Sequence, residues 1–286
     1  MALQLAHDID AVRSFLGPHR RAGKRIGFVP TMGALHEGHL SLIRQARADC
    51  DVVVVSIYVN PTQFGPNEDL ERYPRPFERD CALCEREGVD LIFCPSDAVM
   101  YPGSYRTYKT YVEVEGLGEG LCGRSRPTHF RGVTTVVAKL FNIVAPDRAY
   151  FGWKDAQQAL IIKRMVAELN LPVEIVCVAT VREPDGLAMS SRNQYLDAES
   201  RCQAPALYAA LEKARVAYEQ QGVDDCAALT KMIADHISSQ TAGRVDYVEI
   251  VSLDQLQPLE RVQPGNTLVA LAVYLGSARL IDNIRL

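Results

Sequence analysis

Short, nearly continuous runs of apolar, largely β-branched residues recur through the first 180 residues, and amphipathic stretches lie between them. The most extreme is Asp51-VVVVSIYV, where no polar alternation leaves a face for water. A strand of that kind is buried on both faces, which a parallel sheet flanked by helices provides. Ile26-GFVPT, Val89-DLIFCP, Lys109-TYVEV, Arg148-AYF and Val173-EIVCV read as further strands. The spacing predicts helices over Leu40 to Asp49, Pro76 to Glu87, Val133 to Val144 and Asp155 to Leu169. Strands alternating with helices predict an α/β chain with a doubly wound parallel sheet. In such sheets ligands bind beyond the carboxyl ends of the strands, so function is expected in the strand-to-helix loops.

After Arg182-EPDG the pattern changes. Two helical stretches, Asp197 to Glu219 and Asp224 to Ser238, precede three strands, Val245-DYVEIVS, Thr267-LVALAVYL and Ala278-RLIDNI. These predict a smaller C-terminal α+β domain over 184–286, after a first domain over 1–183. A chain of 286 residues is long enough for two.

The net charge of −4 and pI near 5.9 argue against a broad basic surface and leave room only for a local basic cleft, so no nucleic-acid partner is expected. No apolar run is long enough to span a bilayer, so no membrane partner is expected either. MALQLAHDID carries acids where a secretory signal has an apolar run, and eight scattered cysteines fit a reducing cytoplasm. Cys81 and Cys84 form a CxxC inside a charged helical pattern, FERDCALCEREG, with no second CxxC to complete a zinc site. They read as helix residues.

Two motifs mislead. Gly118, Gly120 and Gly123 fit GxGxxG, but a dinucleotide site needs a helix to follow at once, and Pro127 stands in the way. Gly17-PHRRAGKR has the wrong spacing for a phosphate-binding P-loop, and Arg25 stands where its Ser or Thr would be.

Pro30-TMGALHEGHL carries more chemistry. His36 and His39, three apart, share a face of a helical turn. Gly38 between them lets a flat group or phosphate approach the backbone, and Gly33 frees the strand-to-helix turn. A helix start there offers unpaired N–H groups and a positive dipole to an anion. Zinc is disfavoured: HEGH falls one residue short of the i, i+4 spacing of HExxH. In Met189-SSRN, Ser190 and Ser191 supply hydroxyls and Arg192 a planar fork for phosphate. In Phe151-GWKDAQQ, Lys154 stands where a strand turns into a helix that Asp155 can cap, and either Gln157 or Gln158 can face the cleft. In Val59-NPTQF, Gln63 offers an amide to a polar substrate, and downstream Asp80 is a candidate to position magnesium.

HxGH followed late in the fold by SSRN resembles the nucleotide signature of the class I aminoacyl-tRNA synthetase and nucleotidylyltransferase superfamily. In the order PTMGALHEGH, NPTQF, RPTHFRGV, FGWKDAQQ, MSSRN and RLIDNI, the chain is similar to the pantothenate synthetase family from about Ile26 onward. The resemblance implies a Rossmann-like domain with a smaller C-terminal lid, in a homodimer. It implies a carbon–nitrogen ligase that joins (R)-pantoate to β-alanine. ATP becomes AMP and pyrophosphate through a pantoyl-adenylate.

Residue by residue, the resemblance lays Met32, Gly33, Ala34, Leu35, His36, Glu37, Gly38 and His39 along ATP. His39 is then the proton donor to the leaving phosphate. Gly152, Trp153, Lys154 and Asp155 are implied to contact ATP, as is the backbone of Val181, and Met189, Ser190, Ser191 and Arg192 to close over the phosphates. Gln63 and Gln158 are implied to hold pantoate, with Met32, Arg126 and His129 on the substrate side. Attack on the α-phosphate turns a poor leaving oxide into AMP, and His36, His39, Lys154, Arg192 and Mg2+ would stabilise the developing charge.

Two rivals stay open: another adenylylating or nucleotidyl-transferring enzyme, and a regulator that only binds nucleotide. A tRNA synthetase needs a tRNA-binding domain, and a regulator need not keep His36, His39, Lys154 and Arg192 together.

Overall fold

A computed structural model describes residues 2–66 and 68–286. In chain order the elements are β1 (Gln4–Ala6), α1 (Ile9–Arg21), β2 (Ile26–Thr31), α2 (Glu37–Asp49), β3 (Val52–Ile57), α3 (Phe77–Arg86), β4 (Leu91–Phe93), α4 (Asp97–Met100), α5 (Cys122–Ser125), α6 (His129–Val144), β5 (Arg148–Gly152), α7 (Ala156–Glu168), β6 (Glu174–Val178), α8 (Ala198–Gln203), α9 (Ala206–Gln221), α10 (Cys226–Gln240), β7 (Arg244–Ser252), β8 (Thr267–Leu275) and β9 (Ala278–Arg285). Single 3-10 turns stand at Pro61–Gln63, Trp153–Asp155 and Ser191–Tyr195. The chain divides into two compact units, Met1–Glu115 with Arg126–Trp153 and Ile161–Ala179, and Gly116–Ser125 with Lys154–Leu160 and Thr180–Leu286.

The first unit holds a six-stranded sheet in the order β1-β4-β3-β2-β5-β6, parallel throughout. Val29, Val53, Val55 and Ile92 share one buried cluster with Leu40, Ile43 and Ala46 of α2. Phe28, next to Val29 and therefore on the opposite face, meets Phe141 of α6 edge-on at 6.4 Å between ring centroids. With helices on both faces, the all-apolar strands are accounted for. The chain runs outward through β2, β3 and β4, then returns to lay β5 beside β2 on its other edge. That reversal puts a topological switch point between β2 and β5, with the carboxyl ends of β2, β3 and β5 along one edge of the sheet.

Two local expectations are corrected, and β1 and α1 stand where no element was expected. Lys109-TYVEV forms no strand; Thr135 Oγ1 of α6 accepts from the Val112 N–H at 3.0 Å, and Thr134 Oγ1 donates to the Val112 carbonyl at 2.5 Å. Helix side chains thus satisfy groups that a ladder would have used. The sixth strand is instead β1, too short to stand out by pattern. α1 runs through Gly17 and Pro18, which masked it; Asp8 caps it by accepting from the Ala11 N–H at 2.8 Å. The long helix expected from Asp197 breaks around Pro205, whose ring cannot continue the ladder, into α8 and α9.

The second unit is built on an antiparallel sheet, β7-β8-β9. Val248, Ile250, Val269, Leu271, Val273 and Leu280 pack on one face against Leu207, Leu211, Leu229 and Ile233 of α9 and α10. Tyr247, Arg279 and Asn283, out of phase with that core, face the other way and meet the inserted segments 116–125 and 154–160.

Candidate active site

The turn after β2 is built around one buried carboxylate. Gly33 (φ +80) and Ala34 (φ +51) both take left-handed backbone. Asp80, from α3, accepts from the N–H groups of Ala34 and Leu35 at 2.8 Å each. A Cβ at Gly33 would sit 3.0 Å from Asp80 Oδ2, so glycine is the residue that fits. Burial pushes the Asp80 carboxyl up, against these two donors, which hold it down. Both oxygens are occupied within the turn, and among the described residues no group of three His, Cys, Asp or Glu is placed to hold a metal. Asp80 therefore fixes the turn, and the expectation that it positions magnesium is not carried further.

The turn feeds directly into α2. His36 is its N-cap: its Nδ1 accepts from the Gly38 N–H at 3.1 Å, while His39 Nδ1 accepts more weakly from the His36 N–H at 3.4 Å. The ring centroids are 4.2 Å apart. With Nδ1 an acceptor, a neutral imidazole carries its proton on Nε2, so the cap fixes the tautomer of both rings. Two Nε2–H donors, the first turn of a thirteen-residue helix and its dipole are thereby brought together at the end of a central strand. The Glu37 carboxylate is engaged by Arg44 along the helix surface.

Gln63 lies in the loop after β3, in the neighbouring strand position. Its Nε2 reaches Met32 Sδ at 3.1 Å, and its Oε1 accepts from Asn60 Nδ2 at 3.1 Å. Met32 and Gln63, both expected on the substrate side, are thus in contact. Arg126 and His129, also expected on the substrate side, hold this loop. His129 Nδ1 donates to the Gln63 carbonyl at 2.9 Å, its Nε2 is 3.1 Å from Arg126 Nη1, and the same guanidinium pairs with Glu68. Burial pushes the Glu68 carboxyl up, but Arg126 outweighs it and keeps the group below its usual range.

Asn60, which NPTQF does not single out, is 1% exposed and also accepts from Tyr101 Oη at 2.7 Å. Asn before a proline that opens a 3-10 turn is a capping signal, and that could have found it.

In the second unit, the two adjacent glutamines separate. Gln157 is buried: its Nε2 donates to the carbonyls of Leu117 and Gly120 at 2.9 Å each, and its Oε1 accepts from the Cys122 N–H at 3.0 Å. It anchors segment 116–125, and only Gln158, half-buried, remains as the glutamine available to a substrate. Lys154 Nζ is 3.2 Å from Asp155 Oδ2, and its carbonyl accepts from Asn283 Nδ2 at 2.9 Å. Val181 and Met189 are neighbours across a hairpin, the Met189 N–H donating to the Val181 carbonyl at 3.0 Å. Ser190 caps the following 3-10 turn through the Arg192 N–H. Gly152 and Trp153 belong to the first unit, at the carboxyl end of β5 beside β2.

The remaining motifs are structural. Among the described residues no strand leads into the GxGxxG of 118–123, and the four-residue α5 already begins inside it, at Cys122. Cys84 is fully buried and pushed up to about 12 by burial, and Cys81 is raised for the same reason, the opposite of a reactive CxxC.

Comparison with known proteins agrees along the whole chain. Residues 4–285 match the family model described as pantoate-beta-alanine ligase. The chain is 56% identical over 279 residues to the pantothenate synthetase of Pelotomaculum thermopropionicum, covering 98% of this chain and 97% of that one. It is 55% identical to that of Moorella thermoacetica, covering 99% and 98%. Among solved structures, pantothenate synthetase from Thermus thermophilus is 46% identical with a TM-score of 0.92 over 99% of both chains. Pantoate-beta-alanine ligase from Francisella tularensis, complexed with beta-gamma ATP and beta-alanine, is 35% identical with a TM-score of 0.80 over 99% and 98%. The chain belongs to the pantoate–beta-alanine ligase family, carbon–nitrogen ligases that join pantoate to β-alanine.

Proposed function

We propose that this chain condenses (R)-pantoate with β-alanine, taking ATP to AMP and pyrophosphate through a pantoyl-adenylate. The observation that carries this reading is the HxGH turn. It brings two imidazoles with protonated Nε2 to a helix start at the switch point between β2 and β5. Such a site suits an anion that gains charge during reaction. A pantoate carboxylate oxygen attacks the α-phosphorus; the new O–P bond forms as the bond to pyrophosphate breaks. His39, with His36, donates to the departing phosphate, and Lys154 and Arg192 meet the remaining charge. The free amine of β-alanine then attacks the acyl carbon, the amide forms, and AMP leaves with the pantoate oxygen. Magnesium would arrive on the nucleotide's own phosphates, since the described carboxylates supply no cluster for it. The C-terminal domain, 184–286, acts as the lid that keeps water from the adenylate.

Pantoate carrying oxygen-18 in its carboxylate tests the path. The expected products are AMP with one label and unlabelled pyrophosphate, read by mass spectrometry. ADP as product, or label in inorganic phosphate, would mean an acyl phosphate instead.

Gln63, in contact with Met32, and Gln158 read the polar groups of pantoate. Gln63→Ala should weaken pantoate by about 1–3 kcal/mol, the cost of leaving a buried polar partner unmade. ATP affinity should hardly move, and titration with each substrate separates the two effects. A larger loss for ATP than for pantoate would reassign the residue.

The protein works in the cytoplasm as a homodimer. All eight cysteines are free thiols, and among the described residues no helix is long and apolar enough to cross a membrane.

A further inference from the structure

We propose that Asp282 and Asn283, consecutive on β9, are positioning residues that hold two nucleotide-handling segments from opposite faces of one strand. The inference rests on the reading above, in which Lys154 and residues 189–192 meet the phosphates.

Side chains of adjacent strand residues point to opposite faces. Asp282 is opposite Leu271 and on the side of the helical core, where it is 4% exposed. There it accepts from both terminal nitrogens of Arg182, at 2.6 and 2.9 Å, and from the Asn283 N–H at 2.8 Å. The Arg182 guanidinium lies 3.6 Å over the Tyr208 ring and donates to the Gly186 carbonyl at 3.1 Å. Arg182 pairs with Ala188 across the hairpin that runs straight into Met189 and Ser190. Asn193, just beyond, donates to Glu183 Oε1 and to the Ala188 carbonyl, at 2.9 and 3.1 Å, which ties the far end of the SSRN turn to the same hairpin. Asp282 thus fixes, through Arg182, the base from which 189–192 projects.

Asn283 faces the other way and donates to the Lys154 carbonyl at 2.9 Å. One dipeptide on a hydrogen-bonded strand therefore sets the backbone of Lys154 and the root of the SSRN turn against a common frame.

Stability alone is a poor reason for this arrangement. A buried ion pair is often no more stabilising than apolar residues of the same volume, because two charges must leave water. What the pair provides is a fixed geometry, and misplacing a catalytic group by about 1 Å can lower a rate by roughly 10²-fold.

The test is a double-mutant cycle read by pantoate-dependent exchange of labelled pyrophosphate into ATP. Asn283→Ala should lower the maximal rate by about 10- to 100-fold, with the pantoate KM within about twofold. Lys154→Ala should be slower still. The double variant should match Lys154→Ala alone, because a residue that acts through another has nothing to add once that other is gone. Thermal denaturation of each variant checks folding, and Asn283→Leu, which keeps the volume, replaces Asn283→Ala if that variant does not fold. Losses that multiply in the double variant, or a folded Asn283 variant with normal exchange, overturn the inference while leaving the role of Lys154 intact. Normal exchange by Lys154→Ala alone overturns both.

Discussion

His39→Ala is expected to lower pantoate-dependent pyrophosphate exchange by at least about 10²-fold, the loss typical of one preorganised donor aimed at developing charge. Its Nδ1 accepts from the His36 N–H, so the ring presents its proton at Nε2. Alanine removes that donor and also the reciprocal half of the helix cap. The cap is the smaller effect: at 3.4 Å the bond is weak, and a lost cap costs about 0.5–2 kcal/mol of stability. The fold should survive, with the variant's denaturation midpoint only slightly lowered. His39→Gln separates the roles further. Its side-chain amide can place an N–H near the position of Nε2, so exchange should recover in part, without regaining the proton transfer that an imidazole supports. A folded His39→Ala protein with near-normal exchange would remove the residue from the mechanism. His36 is a less clean target, because its Nδ1 also caps the helix from Gly38 and its removal disturbs α2 directly.

The parallel sheet could be read from the amino acids because Val52–Ile57 and its neighbours have no polar phase. A run of that composition has one stable environment, and the positions of β2, β3, β5 and β6 follow from it. The boundaries of α2, α3, α7 and α10 were readable to within a few residues from their amphipathic period. What was hidden depended on partners distant in sequence. β1 is three residues long and exists because β4 offers it an edge. Segment 109–115 has a strand's alternation, yet two threonines of α6 satisfy Val112 instead. Asp80 reads in the sequence as a candidate for magnesium, and nothing local says that its carboxylate closes a turn 45 residues upstream.

The candidate site divides along similar lines. His36, His39 and Gly33 are legible because one turn contains both the chemistry and its geometric requirement. Gln63 was visible as an amide, while the residue that holds it, Asn60, was not, because its partners Tyr101 and Gly132 come from α4's end and α6. Gln157 and Gln158 are indistinguishable in the sequence; only the carbonyls of Leu117 and Gly120 decide which is structural. Arg126 and His129 drew notice through RPTHF, and their side chains support the Gln63 carbonyl from behind. Residues that touch substrate thus carry local signatures, whereas residues that position them are defined by contacts between segments far apart in the chain.

Gly132 is the sharpest case of the second kind, and Gly132→Ala is expected to damage both stability and pantoate binding. It lies in the first turn of α6, where alanine normally improves a helix by about 0.5–1 kcal/mol. Here an added Cβ would press on the carbonyl oxygen of Thr62 and stand 2.6 Å from its carbon and 2.7 Å from the Gln63 Cα. All three are backbone atoms, so no side chain can rotate away, and the helix or the 3-10 turn Pro61–Gln63 must move. Overpacking of this kind costs about 1–3 kcal/mol, which exceeds the propensity gain. The net effect should be a lower denaturant midpoint. The displaced turn is the one that carries Gln63, and the Gly132 carbonyl also accepts from Asn60 Nδ2 at 3.2 Å. The pantoate KM should therefore rise severalfold while the ATP KM changes little. Gly120→Ala is the control: no heavy atom lies within 4 Å of a Cβ there, so its stability should stay within about 0.5 kcal/mol of the parent. A Gly132→Ala protein as stable as the parent, with an unchanged pantoate KM, would show that the turn has room to yield and that the position of Gln63 does not depend on this contact.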